Sequence, residues 1–157
     1  MQIIIIIRGL TGAGKTTLLN KITETFDFQK YEVDDFKRKK YHTTERFNTL
    51  TDLPVVGKLA KEIVDNGNNL VIEETFTDLN HIELFKQGFT DLDKHQVIYI
   101  YLKCSKETAI ERKKDVISIS TINSAYNEIA DPIDGQFEFN TDEFSIDQII
   151  NEISKKL

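Results

Sequence analysis

The sequence predicts an α/β fold: a five-stranded parallel sheet with helices on both faces, in three α/β/α layers. Three observations predict it. Apolar strand-like runs alternate with amphipathic stretches along the chain, the pattern of parallel strands joined by crossover helices. The first run, residues 3–7, is five consecutive isoleucines; so short and unbroken an apolar run reads as a strand buried on both faces. A glycine-rich segment then separates that run from a helical pattern. At 157 residues the chain has the length of about one domain. With no repeat, low-complexity segment or Pro/Gly-rich linker, a single domain over residues 1–157 is expected.

The elements follow in order. After the first strand, Leu18, Leu19, Ile22 and Phe26 recur at helical spacing between residues 15 and 26. Residues 31–33 predict a short second strand. Pro54 fits the first turn of a helix running to Asp65, where its missing N–H is tolerated. Gly67 stops that helix, and residues 70–72 form a third strand. Asn80 with Glu83 predicts a helix start leading into Ile82, Leu84 and Phe85. Residues 97–102 are a fourth strand, and Ser105 caps a helix carrying Ala109, Ile110 and Arg112. Residues 117–129 predict a further helix and 136–139 a fifth strand. Ser145 with Gln148 is a capping-box pattern for a last helix bearing Ile146, Ile149, Ile150 and Ile153.

Composition narrows the function. Twenty Lys and Arg against 26 Asp and Glu give a net charge of −6, which argues against a broad nucleic-acid footprint. One cysteine, Cys104, excludes an intramolecular disulfide and fits a reducing compartment. Three scattered histidines have no metal-ligand spacing. No apolar run approaches the ~20 residues of a spanning helix. A cytoplasmic protein without membrane partners is expected.

The strongest motif is Gly9-Leu10-Thr11-Gly12-Ala13-Gly14-Lys15-Thr16. It matches G-x-x-x-x-G-K-[ST] in full, after a predicted strand and before a predicted helix, the context a phosphate-cradling P-loop needs. Glycines let the backbone approach phosphate oxygens, and the helix N-terminus adds positive potential. Lys15 reaches the β- and γ-phosphates in this reading, and the Thr16 hydroxyl ligates Mg²⁺. The fold class is therefore a P-loop NTPase. Among such proteins a GTPase needs an Asn-Lys-x-Asp reader after a late strand, where Ser105-Lys106-Glu107 stands instead. A remodelling ATPase needs a second helical domain, for which 157 residues leave no room. The acids after strand three, Glu73-Glu74, are candidates to hold Mg²⁺ through water. A small-molecule kinase fits best.

The motifs resemble the adenylylsulfate kinase family of small P-loop kinases. Gly9 to Thr17 is similar to that family's Gly-Leu-Ser-Gly-Ala/Ser-Gly-Lys-Ser/Thr-Thr. Asp35-Phe36-Lys37-Arg38 resembles its Asp-Asn-Val-Arg after strand two, and Glu45-Arg46-Phe47-Asn48 its Asp-Arg-x-x-Asn, one residue short. Val56 to Lys61 with Asp65-Asn66-Gly67 resemble the following helix and its stop. Ala125-Tyr126-Asn127-Glu128, Pro132 and Asn140-Thr141-Asp142 echo its ending. The resemblance implies a nucleoside-kinase-like fold and MgATP-dependent phosphorylation of a ribose 3′-hydroxyl on a nucleotide. It also implies ATP contacts from Gly9 to Thr17 and from Thr141, and an acceptor contact from Asn48. Two stretches depart from it. Lys113 to Ser120 replace the family's lid signature, leaving a short mobile lid around residues 112–132, and Glu74-Thr75-Phe76 replace its Ser-Pro-Tyr. Relatives with altered acceptor sites, such as cytidine diphosphoramidate kinase in surface-polysaccharide pathways, are compatible with both changes.

The remaining roles follow from residue chemistry. Asp35, after strand two at the carboxyl edge of the sheet, is the candidate base or hydroxyl-orienting residue, with Asp34 the alternative one position away. Arg38 and Arg46 are candidate clamps for an acceptor phosphate, because a guanidinium binds phosphate bidentately. Arg38 also stands beside the catalytic pair Lys15 and Asp35. Arg112 is a candidate ATP contact that stabilises the transferring phosphoryl group. Glu74 is a candidate for Mg²⁺ water or the acceptor, and Phe76 and Tyr126 for stacking on the acceptor base. Alternatives stay open: a polynucleotide 5′-kinase, a zeta-toxin-like sugar-nucleotide kinase, or a non-catalytic nucleotide-binding regulator. Small kinases of this kind are often homodimers.

Overall fold

The computed structural model describes residues 1–129 and 135–157. Its centre is a five-stranded, all-parallel sheet: β1 (Ile3–Gly9), β2 (Gln29–Glu32), β3 (Leu70–Glu73), β4 (Gln96–Lys103) and β5 (Phe137–Asn140), in the order β2-β3-β1-β4-β5. The helices are α1 (Lys15–Thr25), α2 (Val33–Tyr41), α3 (Thr49–Asp65), α4 (Leu79–Gly88), α5 (Lys106–Lys113), α6 (Ile119–Glu128) and α7 (Ile146–Ser154).

The isoleucine run is the central strand, paired with β3 on one side and β4 on the other. Its alternation divides the core. Ile5 and Ile7 join Leu18, Leu19 and Ile22 of α1, Ala109 of α5, Ile122 of α6 and Ile149, Ile150 and Ile153 of α7. Ile4 and Ile6 join Val33 of α2, Leu53, Val56, Ala60 and Val64 of α3, and Ile82 and Phe85 of α4. Successive side chains of a strand face opposite sides, so this one run must be apolar throughout. The three-layer expectation is met.

Four local expectations need correction. The second strand ends at Glu32, and Val33 opens a helix that the sequence reading does not contain. Only Val33 and Lys37 of α2 are buried, too sparse an apolar face to register as helical periodicity. Helix α3 begins five residues before Pro54, which lies inside it. Its start is fixed by tertiary hydrogen bonds around Asp52 rather than by proline. The cap of α4 is Asp78, whose carboxylate accepts the Asn80 N–H at 2.8 Å, not Asn80 itself. The helix expected over 117–129 starts at Ile119 behind the Ser118 cap. Pro132, the end of the expected lid, lies outside the described residues. By contrast, Ser105 caps α5, and Ser145 with Gln148 forms a complete capping box on α7.

Helices α3 and α4 touch backbone to backbone. A Cβ on Gly57 would lie 2.1 Å from the Phe85 carbonyl oxygen, and one on Gly88 1.8 Å from that of Pro54. Neither neighbour is a flexible side chain, so the helices themselves would have to separate. Gly57→Ala is expected to destabilise the protein by about 1–3 kcal/mol despite alanine's better helix propensity. A lower denaturant midpoint at unchanged m-value checks it.

Candidate active site

The loop after β1 is built for a phosphate group. Gly14 takes a left-handed conformation (φ 96°) as the N-cap of α1 and leaves the first turn without a side-chain cap. Helix N-terminal N–H groups without intrahelical partners attract anions. At Gly12 (φ 88°) a Cβ would meet Ala109 Cα of α5 at 2.9 Å, so the loop sits hard against that helix. From the other side Arg112 Nη1 donates to the Gly12 carbonyl at 2.9 Å and to Thr141 Oγ1 at 3.0 Å. Thr141 Oγ1 in turn donates to the Ala13 carbonyl at 3.1 Å. These contacts occupy the Gly12 and Ala13 carbonyls, while the Ala13 N–H turns back on the Leu10 carbonyl at 3.1 Å. The structure thus brings Arg112 and Thr141, 29 positions apart, onto the loop of Gly9 to Thr17.

Lys15 Nζ donates to the Leu10 carbonyl at 3.2 Å. Burial pulls its pKa below the ordinary lysine value, opposed by Glu73 and Glu74. The Thr16 hydroxyl donates to Glu73 Oε1 at 2.6 Å. A hydroxyl and a carboxylate at the foot of a phosphate loop are oxygen ligands suited to Mg²⁺, so the residues present fit that ion. Glu73, not Glu74, makes this contact. The register gives the reason: Glu73 ends β3 opposite Ile7 of β1.

Glu74 turns toward α2. Its Oε2 lies 2.9 Å from Lys37 Nζ, which also lies 3.1 Å from Asp34 Oδ1. Lys37 is only 9% exposed. Burial works against its charge, but Glu74 and Asp34 outweigh this and raise its pKa. Asp35 faces elsewhere. It pairs with Arg38 at 2.8 Å, with both side chains more than half exposed. Its charge also acts on Tyr31, whose hydroxyl is pushed up to about 12 by burial, then by Asp35 and Glu62. The structure therefore puts Asp34, not Asp35, next to the residues beside Lys15, and leaves the Asp35–Arg38 pair on the outer face of α2.

Beyond α2 the segment to α3 forms an open pocket of about 490 Å³ lined by Tyr41, Arg46, Phe47, Asn48, Thr49 and Leu50. The Arg46 guanidinium stacks on the Tyr41 ring at 5.0 Å, and Phe36 meets Phe47 edge-on. Among the described residues no carboxylate lines the pocket. Behind it Asp52 is fully buried. It accepts from the Tyr41 hydroxyl at 2.8 Å, the Asn48 N–H at 2.8 Å and the Lys40 ammonium. Burial pushes its pKa up, but these donors outweigh burial and hold it below 3.8. A depressed carboxylate adds stability above its unfolded pKa and loses it as pH falls through the folded value. Asp52→Ala should cost about 1–3 kcal/mol at neutral pH by stranding those donors. Denaturant melts from pH 7 down to pH 2 check it: the gap between wild type and variant should narrow below about pH 4.

Of the predicted acceptor residues only Arg46 and Asn48 line this pocket; Asp35, Arg38 and Glu74 lie as described above, and Phe76 and Tyr126 lie elsewhere. Phe76 is 1% exposed, with its ring packed edge-on against Phe85 in the core. That burial removes it from any stacking surface. Tyr126 lies on the far side of β1, where its hydroxyl donates to the Cys104 and Ser105 carbonyls at 3.1 Å each. Cys104 Sγ lies 3.7 Å from the Gly12 carbonyl, so Tyr126 belongs with the phosphate loop. The sequence reading named Glu73 only together with Glu74, as acids to hold Mg²⁺ through water, and missed Lys37 and Asp52 as contributors. For Lys37 a signal existed: it stands four residues after Val33, on the one buried stripe of α2.

A parallel sheet with this loop at the end of its central strand is the build of a P-loop nucleotide-binding protein. The chain belongs to the AAA domain family, whose model matches residues 4–115. No curated protein matches the sequence. Several solved structures share the fold. The Mycobacterium tuberculosis APS kinase in complex with AMPPNP and APS matches with a TM-score of 0.74 at 15% identity, covering 98% of this chain and 96% of that one. A sugar kinase from a Janibacter species matches at 0.73 and 15%, covering 99% and 94%. A putative kinase from Chloroflexus aurantiacus matches at 0.73 and 17%, covering 99% and 98%. At these identities the likeness establishes the fold. Among the described residues, no helix is long and apolar enough to cross a membrane.

Proposed function

We propose that this protein is a small-molecule kinase that transfers the γ-phosphate of MgATP to a hydroxyl of a nucleotide acceptor, the ribose 3′-hydroxyl. The observation that carries the reading is the junction at the end of β3. Glu73 holds the Thr16 hydroxyl beside Lys15, and the next residue, Glu74, holds Lys37 and through it Asp34. A phosphate cradle and an exposed carboxylate are thereby joined at the carboxyl edge of one parallel sheet, where ligands of open α/β folds bind.

In this reading the backbone N–H groups of Gly9 to Thr17 and the Lys15 ammonium bind the triphosphate. Thr16 and Glu73 would hold Mg²⁺, the first directly and the second through water, and the ion would neutralise charge on the phosphates. Arg112, fixed by Gly12 and Thr141, faces the same loop and stabilises the transferring group. Asp34 accepts the hydrogen bond of the attacking hydroxyl and orients it in line. The pocket lined by Tyr41, Arg46, Phe47, Asn48, Thr49 and Leu50, cationic and aromatic, suits a phosphate on Arg46 and a flat base against Tyr41 and Phe47.

The test is phosphorus NMR and mass spectrometry on protein, MgATP and an acceptor panel, with Lys15→Ala as control. The panel holds adenylylsulfate, cytidine and uridine diphosphate derivatives, a 5′-hydroxyl oligonucleotide and gluconate, the last because a gluconokinase shares the fold. One phosphate gained on a nucleotide ribose is expected. Transfer to gluconate alone would refute the nucleotide acceptor, and ATP binding without transfer to any member would refute the kinase.

A further inference from the structure

Lys37 is the most buried charge of α2. Its neighbours Arg38, Lys39 and Lys40 are all exposed, as a charged helix face should be. Taking an ammonium out of water is unfavourable unless its N–H groups are met. Those of Lys37 are met by Asp34 Oδ1 at 3.1 Å and Glu74 Oε2 at 2.9 Å, with the Phe47 ring 5.0 Å away as a cation–π lid. Such a buried arrangement contributes little net stability, since an apolar side chain of similar volume often does as well. Its value must lie in what it positions. One partner, Glu74, is anchored at the end of β3 and also accepts the Thr75 N–H at 2.8 Å. The lid, Phe47, lines the pocket between α2 and α3. The other partner, Asp34, is half exposed and meets Lys37 through its Oδ1.

From this we infer that Lys37 is a positioning residue. Clamped to the sheet by Glu74 and covered by Phe47, it fixes Asp34 by one oxygen and leaves the other presented to the acceptor hydroxyl. The inference rests on the kinase reading above and adds a coupling to it. The same ammonium touches the carboxylate that orients the hydroxyl and the aromatic wall of the acceptor pocket. Seating the acceptor against Phe47 and orienting its hydroxyl on Asp34 are then one event.

The test compares Lys37→Met, Lys37→Arg and Lys39→Met with wild type, using the best acceptor from the panel and a temperature at which all are folded by circular dichroism. Lys37→Met should lower kcat about 10²-fold while KM for MgATP stays within about 3-fold, because orientation is lost and nucleotide binding is not. Lys37→Arg, which can still bridge two carboxylates, should recover most of that loss. Lys39→Met removes a charge from the exposed face of the same helix and should leave kcat within about 2-fold. If Lys37→Met does not fold, Glu74→Gln serves instead, since loosening the other end of the clamp should produce the same kcat defect. Wild-type transfer with equal kcat in the Met variant, or a loss that Arg does not recover, overturns the positioning role alone. Absence of wild-type transfer overturns the kinase reading and this role with it.

Discussion

Lys15→Ala is expected to lower kcat/KM for phosphotransfer by about 10³-fold or more while leaving the protein folded. The reason is local. In the free protein the Lys15 ammonium is held within the loop by the Leu10 carbonyl. Burial already draws its pKa down, so the fold gains little from it. In the proposed function the phosphate oxygens of the bound nucleotide add to the compensation that Glu73 and Glu74 give its charge. Removing it therefore costs transition-state stabilisation far more than stability. Turnover on the responsive acceptor, measured alongside a thermal melt, separates the two effects. A variant with wild-type turnover would refute the assignment of the Gly9-to-Thr16 loop.

Asp34→Asn should lower kcat by about 10²–10⁴-fold with little change in KM for MgATP. Asp35→Asn should cost no more than about 3-fold, the scale of a lost exposed ion pair. The two aspartates are neighbours in sequence, with the same chemistry. They differ because consecutive helical side chains point about 100° apart. That rotation turns Asp34 toward Lys37 and Glu74, and Asp35 toward Arg38 and solvent. Steady-state kinetics on the two variants, with the same acceptor, decides between them. A larger loss at Asp35 would place the reacting hydroxyl on the outer face of α2 and detach it from the Glu73–Glu74 junction.

The placement of the pocket proposed for the acceptor is similarly tertiary. Arg46 and Asn48 flank Phe47 and follow Tyr41 within a few residues in the chain, yet nothing in the spacing says that they enclose a pocket. Asp52 decides that. Its fully buried carboxylate draws the end of α2, the connecting segment and the start of α3 together. A lone Asp three residues into a helix reads as a first-turn charge, and only the fold shows its donors.

Phe76 and Tyr126 show the limit from the other side. Aromatic residues near strand ends suit either core or stacking. The structure sends Phe76 into the core against Phe85, and Tyr126 to the phosphate-loop side of β1. Residue type alone carries no information on which face of an element a side chain occupies.

By itself the sequence determined the phosphate loop, the central strand and the alternation of strands and helices. These are local: glycine spacing, an unbroken isoleucine run and serine caps act over a few residues, and their physics is complete within that span. The tertiary structure alone decided that Glu73 rather than Glu74 meets Thr16, that Asp34 rather than Asp35 joins the junction, and that Lys37 is buried between two carboxylates. Each depends on strand register or helix phase, and a one-residue shift in either turns a side chain to a different face. Contacts between residues more than 30 positions apart, such as Lys37 with Glu74 or Arg112 with Gly12, exist only once the sheet has brought their elements side by side.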